Sequence, residues 1–297
     1  MARADYTLKN LKIPVLSGLL VAHALAIMAV FYTSKTAIWL FVGLSLLTAW
    51  VGVGVCYHRL LTHDSFETPR WFRYVLTTIG TLSGQAGPLF WVGWHKLHHS
   101  ESDKPGDPHS PNDGGWWAHF LWLLFKKEGG HDPLEYSRRL AREWRGMLFL
   151  ERYAWLPQVV AAMLLLGLGY WRGGWHDAIA WVAWGVGLRM VYVFHLTWFI
   201  NSGGHMWGYR NFETHDHSRN IWFKNPLLWT FGPILWVLTG GEAFHNNHHG
   251  ESRSASHGMK WWEIDINYRI IQMLSWVHLA YNIHRPKMWG KAEVSIG

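Results

Sequence analysis

The sequence predicts an all-α integral membrane protein, with four transmembrane helices in two hairpins, membrane-surface helices and a cytosolic cap. Three observations carry this reading. Uncharged runs long enough to cross a bilayer alternate with strongly polar segments. Lys and Arg fall almost wholly on one side of those runs, and clusters of histidine sit at run ends on that same side.

The runs cover residues 13–34, 36–57, 153–171 and about 178–201, each near the ~20 residues that span a bilayer as a helix. The first begins after Lys12 and is too long for a signal-peptide core, so it is expected to stay as an anchor. Only Ser34 and Lys35 separate the first pair, and "RGGWHD" at 172–177 separates the second. Such short links make tight helical hairpins and put both chain ends on the same side as the middle segment. Of 27 Lys and Arg, 24 lie on that side, against Lys35 and Arg172 outside and Arg189 within the fourth run. The asymmetry marks the side as cytoplasmic. Arg189 at the bilayer centre would cost roughly 2.5–3.5 kcal/mol, so it must face a polar interior or sit near the cytoplasmic edge.

Residues 74–95 are also uncharged, but Gly80, Gly84, Gly87, Pro88 and Gly93 interrupt them. A fifth span would separate the flanking histidines across the bilayer. Residues 225–241 hold Pro226, Gly232 and Pro233. Both stretches are therefore read as partly buried membrane-surface helices. The chain is one integrated domain over 1–297, with the cap formed by 58–152 and 202–297 and a loose tail beyond Pro286.

Composition fits this architecture. The 23 Trp residues, with only 16% charged residues, suit a surface that meets the bilayer interface. The net charge of +7 is distributed as cytoplasmic loops rather than as a nucleic-acid patch, so no nucleic-acid partner is expected. A single cysteine, Cys56, excludes an internal disulfide framework and a thiolate cluster, and is expected to be a small buried apolar residue.

The histidines fall into "HRLLTH" (His58, His63), "HKLHH" (His95, His98, His99) and "HNNHH" (His245, His248, His249), joined by "NSGGH" (Asn201, His205). Residues i, i+3 and i+4 share a helix face, so each HxxHH unit can converge on one point. His58 and His63 are about 500° apart on an α-helix, so a helix end or local unwinding is needed there. A lone histidine at a polar interface needs no metal, but four such elements at one membrane depth do. Nine imidazoles exceed one ion's capacity, which points to two metals. Structural zinc is normally closed by four ligands, often thiolates. Many neutral ligands with open positions instead suit a redox metal, and two irons fit best. Asp107, Asp216 and Glu242 are candidates for orienting the imidazoles from outside.

These residues resemble the membrane fatty acyl desaturase family, particularly its Δ9-type acyl-CoA and acyl-lipid members. The resemblance runs from about residue 35 to residue 285 and includes "SDKPGDPHSP", "LTWFINSGGHMWGYRNFET" and "SASHGMKWWEID". It implies a four-helix, mushroom-like protein whose cytosolic cap holds two irons through His58, His63, His95, His98, His99, His205, His245, His248 and His249, with Asn201 acting through a water. It also implies a bent tunnel lined at its kink by Gln85, Trp91, Thr197 and Trp198. His195 is not counted as a ligand. Departures from the family pattern are Asp64 after the first box, Ala243 where Gly is usual, and a longer segment before the third box.

The implied activity is O2-dependent insertion of a cis double bond, with Δ9 expected. Hydroxylation or acetylene formation on the same architecture is the nearest alternative. A non-enzymatic zinc- or copper-binding membrane protein is the alternative of a different class. No "HPGG" haem motif occurs, so a separate ferredoxin or cytochrome b5 donor is expected on the basic cap. The acyl carrier is left open between lipid, CoA and carrier protein. A bacterial inner membrane is the expected location.

Overall fold

The computed structural model describes residues 7–126 and 131–287. The expected tail beyond Pro286 lies almost wholly outside the described residues. These are helical, with isolated β-bridges and no strand among them.

Helix α1 (Ile13–Phe31) is apolar all round and buries only Ala22 and Ala29, the pattern of a helix whose other faces meet lipid. Ser34 then caps α2 (Lys35–Thr62), its side chain accepting from the Ala37 amide at 3.2 Å. The second run was expected to end at 57. The helix instead continues to Thr62 and from Leu47 onward is wound as a π-helix. Its close neighbours leave no room for side chains: a Cβ on Gly52 would lie 2.9 Å from the Ile79 carbonyl oxygen, and one on Gly54 2.1 Å from the Asn267 amide nitrogen.

The uncharged stretch 74–95 resolves into α3 (Arg70–Thr81) and α4 (Pro88–Glu101). Between them Gly84 and Ala86 take φ of 71° and 73°, the left-handed region in which no α-helix continues. Pro88 restarts the helix at a first-turn position, where its missing N–H costs nothing. Short helices α5 (Pro133–Glu143) and α6 (Gly146–Arg152) pack beside α4.

Helix α7 (Leu156–Val182) is broken at Gly173 and Gly174, the latter with φ 66°. Residues nine apart on a straight helix would be about 13.5 Å apart. A Cβ on Gly169 would nevertheless lie 2.8 Å from the Ala178 Cα, so the chain doubles back at the break. π-wound residues Ala183–Leu188 lead into α8 (Arg189–Met206), which extends five residues past the expected end and so carries His205. By length and composition, three stretches suit membrane crossing: Ile13–Phe31, Lys35–Thr62 and the broken Leu156–Met206.

Arg189 takes the polar-interior alternative. It is 2% exposed and donates to the Gly185 carbonyl at 2.7 Å, to the Leu82 carbonyl, and to Gln158 at 2.7 Å. Cys56 is fully buried, as expected.

Later in the chain come α9 (Phe231–Leu238), α10 (His245–Gly250) and α11 (Ile266–Trp276). The long segment before the third box is pinched at its base by pairing of Asn220 with Phe244. Its additional residues therefore loop outward, exposing Leu227, Trp229, Phe231 and Ile234. One core cluster gathers Tyr57, Leu60, Phe66, Leu76, Val92, Met147 and Ile271 between α2, α3, α4, α6 and α11.

Candidate metal centre

Each histidine element is set by its local fold. On α2 the His63 amide donates to the His58 carbonyl at 3.2 Å, a bond between residues five apart. That is the π-helical pattern, and it stacks two residues that an α-helix would splay. The N-terminus of α4 is anchored by Glu151, which accepts from the Leu89 and Phe90 amides at 2.7 and 3.2 Å, a favourable position for an anion. Helix α10 is held by the two asparagines inside its box. Asn246 accepts from the Asn211 and Phe212 amides, and Asn247 donates to the His257 carbonyl and to Glu263. Ala243, just before it, fits without conflict: its methyl lies in the cluster of Ile221, Trp236 and Phe244.

The nine histidines form two groups able to hold an ion, His58, His63, His95, His99 and His248 in one, and His98, His205, His245 and His249 in the other. The Nε2 of His248 lies 2.9 Å from that of His58 and 2.8 Å from that of His99, which is 3.1 Å from that of His95. In the second group the Nε2 atoms of His205 and His245 are 3.0 Å apart. Two nitrogens about 2.05 Å from a shared ion lie about 2.9 Å apart at right angles and about 3.3 Å apart at a tetrahedral angle. The observed spacings fit octahedral edges. In addition, the buried Nε2 atoms of His63, His98 and His249 have no protein partner. The donor sets therefore fit two metal ions with neutral imidazole donors.

Carboxylates hold the outward nitrogens. His58 donates from Nδ1 to Glu242, His98 to Asp107 at 3.0 Å, and His249 to Asp216 at 2.6 Å. All three acidic residues expected from the sequence thus meet a histidine. A fourth, Asp103, was missed: it accepts from His205 Nδ1 at 2.8 Å and from the His217 amide at 2.7 Å. Its signal was its place four residues before Asp107 in the same acidic stretch. Arg59 was also missed. Fully buried, it is paired with Glu242 and with Asp265 at 2.9 Å, so it fixes the carboxylate that meets His58.

Burial and the neighbouring imidazoles hold His63, His95, His99, His245 and His248 well below the usual histidine range, which favours neutral rings with one nitrogen lone pair each. Burial also brings His249 to about 4, although Asp216 opposes it. His98 moves the other way, because Asp107 and the nearby Asp103 and Asp216 outweigh burial. Burial would raise Asp103, but His205 and the His217 amide bring it to about 2.

Beside the histidines lies an apolar cavity of about 300 Å³. Gln85, Trp91, Thr197 and Trp198 all line it, as does Asn201. Gln85 joins two of them, donating to Thr197 at 2.8 Å and accepting from Trp91 Nε1 at 3.1 Å. Trp91 stacks on His95 with ring centres 5.1 Å apart. A smaller space of about 50 Å³ adjoins Asn201, His58 and His245. His195 belongs to neither group; its Nδ1 is 3.1 Å from His119 Nε2. Asp64, half-buried with φ 48°, lies 3.7 Å from Arg139.

The family described as fatty acid desaturase matches residues 37–282. An sn-1 stearoyl-lipid 9-desaturase of Anabaena variabilis is 39% identical over 249 residues, 82% of this chain and 84% of that one. An sn-2 palmitoyl-lipid 9-desaturase of Nostoc sp. (strain 36) is 39% identical over 267 residues, 89% of this chain and 87% of its own length. An icosanoyl-CoA 5-desaturase of Limnanthes douglasii is 36% identical over 90% of this chain and 71% of its own. On matches of this extent the chain belongs to the fatty acid desaturase family.

Proposed function

We propose that this fatty acyl desaturase is O2-dependent, holds two irons through the nine histidines with Asn201 acting through a water, and inserts a cis Δ9 double bond into a lipid-linked saturated chain. The observation that carries the reading is two imidazole groups with octahedral spacing beside an apolar cavity of about 300 Å³. The relatives named for lipid-linked 9-desaturation support the carrier and the position; the relative named for a CoA substrate makes acyl-CoA the alternative carrier.

When bound, the two irons would supply the O2 and one-electron chemistry that removes hydrogen from adjacent unactivated CH2 groups, which no side-chain acid or base can do. The protein's own contribution is position. Glu242, Asp103, Asp107 and Asp216 keep a proton on Nδ1 of His58, His205, His98 and His249, so that each Nε2 lone pair faces inward. The Trp91–Gln85–Thr197 bridge fixes the cavity wall and hence which carbon pair lies nearest the centre. Adjacent methylenes are chemically alike, so wall shape alone must select between them. Trp91 and Trp198 shield the reaction from bulk water.

The doubling-back at Gly173 and Gly174 supports two spans within Leu156–Met206, giving four in all. The Lys and Arg distribution supports cytoplasmic termini and cap, and a bacterial inner membrane suits this topology. Reducing equivalents come from a separate ferredoxin or cytochrome b5 donor on that cap. The test is expression in a bacterium lacking this desaturation, with mass spectrometry that locates double bonds by lipid class. The wild type is expected to form Δ9 products, and His98→Ala and His248→Ala none. Equal unsaturation in wild type and variants would end the reading.

A further inference from the structure

Among the described residues, the most deeply buried histidine without an assigned part is His257, in the stretch "SASHGMKWWEID" before α11. It is 1% exposed, and neither ring nitrogen has a hydrogen-bond partner, although its backbone is firmly held: its amide donates to Asp265 at 2.6 Å and its carbonyl accepts from Asn247 at 2.7 Å. A buried polar group without a partner costs about 1–3 kcal/mol, and a position that keeps one calls for an explanation. Nothing in local packing demands an imidazole, because an apolar ring would fill the space without that cost.

The surroundings supply the explanation. The His257 ring lies 4.5 Å from that of His248 and 5.2 Å from that of His58, centre to centre, and its Nδ1 is 3.8 Å from Glu242 Oε2. His58, Glu242 and His257 bring their donor atoms within 4.8 Å of one another. In the five-histidine group His58 has a carboxylate behind it, but His248, whose Nε2 lies nearest two neighbours, has a buried Nδ1 with no partner. Imidazoles that bind metal almost always have their other nitrogen engaged, which sets ring orientation and basicity.

We propose that His257 is a positioning residue of the five-histidine site: together with Glu242 it forms the outer support of His248, standing to that ring as Asp216 stands to His249. The chain of support runs from Arg59 through Glu242 to His257 and then to His248, with Arg59 locked by Asp265. In that role one His257 nitrogen accepts from His248 Nδ1 while the other donates to Glu242. This rests on the metal-centre reading above and assigns His257 no contact with substrate or metal.

The test uses the full chain in detergent or nanodiscs, loaded with ferrous iron, comparing wild type with His257→Phe and His257→Gln. Iron per chain is titrated against a chelator, and the ferrous Mössbauer spectrum is recorded. His257→Phe, which keeps the bulk and loses both nitrogens, is expected to weaken one of two irons by about 10–100-fold and to alter one of two quadrupole doublets. His257→Gln, which can still accept and donate, is expected to restore most of the affinity while shifting the same doublet. Wild-type affinity and spectrum in both variants would overturn the proposal. Should His257→Phe fail to fold, His257→Gln decides alone, since an unchanged spectrum there overturns it. A wild type that binds no iron would instead sink the metal-centre reading itself.

Discussion

Replacing Glu242 with Gln is the most informative perturbation of the centre. The Glu242 carboxylate accepts from His58 Nδ1, from Arg59 and, at 2.9 Å, from Asn267. Burial would raise it, but Arg59 and His58 hold it well below the usual carboxylate range, so it is fully ionised. An amide of the same shape keeps one accepting oxygen and turns an NH2 toward a donor. Either His58 or Arg59 then loses its partner. Arg59 still has Asp265, so the expected loss is one charge-assisted hydrogen bond, about 1.5–3 kcal/mol, rather than the larger cost of a stranded buried cation. On the metal side, removing an outer support costs about 10–100-fold in affinity, or roughly 1.4–2.8 kcal/mol. The two figures agree. The assay is iron retained per chain against graded chelator, beside thermal unfolding of the metal-free protein. Glu242→Gln is expected to release one iron early and keep the second, and Asp216→Asn to weaken the other site instead. Two irons held with wild-type affinity in Glu242→Gln would refute the assignment of this carboxylate.

Other outcomes follow from single contacts. Gln85→Leu removes the bridge between Trp91 and Thr197, so the product is expected to spread over neighbouring double-bond positions, read by mass spectrometry. Gly187→Ala puts a Cβ 2.6 Å from α1 backbone atoms at Leu25 and Ala26 and should cost about 1–3 kcal/mol, seen as a lower unfolding temperature in detergent. Arg189→Met strands the Leu82 carbonyl and Gln158, and is expected to cost about 1–3 kcal/mol by the same measure. Asp103→Asn removes the carboxylate from His205, and its chelator titration should resemble that of Asp216→Asn.

Much of this was legible in the sequence because it follows from local pattern. Long uncharged runs name the membrane helices, and HxxHH spacing puts imidazoles on one helix face. Asp107, Asp216 and Glu242 could be chosen because each has a histidine within three residues: His109, the pair His215 and His217, and His245. What escaped depends on long-range packing. The π winding of α2 lies where its glycines press against α3 and α11, contacts that no hydrophobic period announces. His257 and Arg59 owe their parts to Glu242 and Asp265, distant in the chain from Arg59. The doubling-back at Gly173 and Gly174 was readable as a short link, yet its closeness needed the glycine at 169, one turn earlier.

The division of the nine histidines has a consequence for biosynthesis. Each group draws on both ends of the chain: one needs His58 and His248, the other His98 and His245. A nascent polypeptide that has not yet reached residue 245 therefore owns no complete set, even with its first membrane hairpin already made. By residue 99 the first group has four of its five histidines and the second only His98, so the last box, residues 245–249, is what closes both sets.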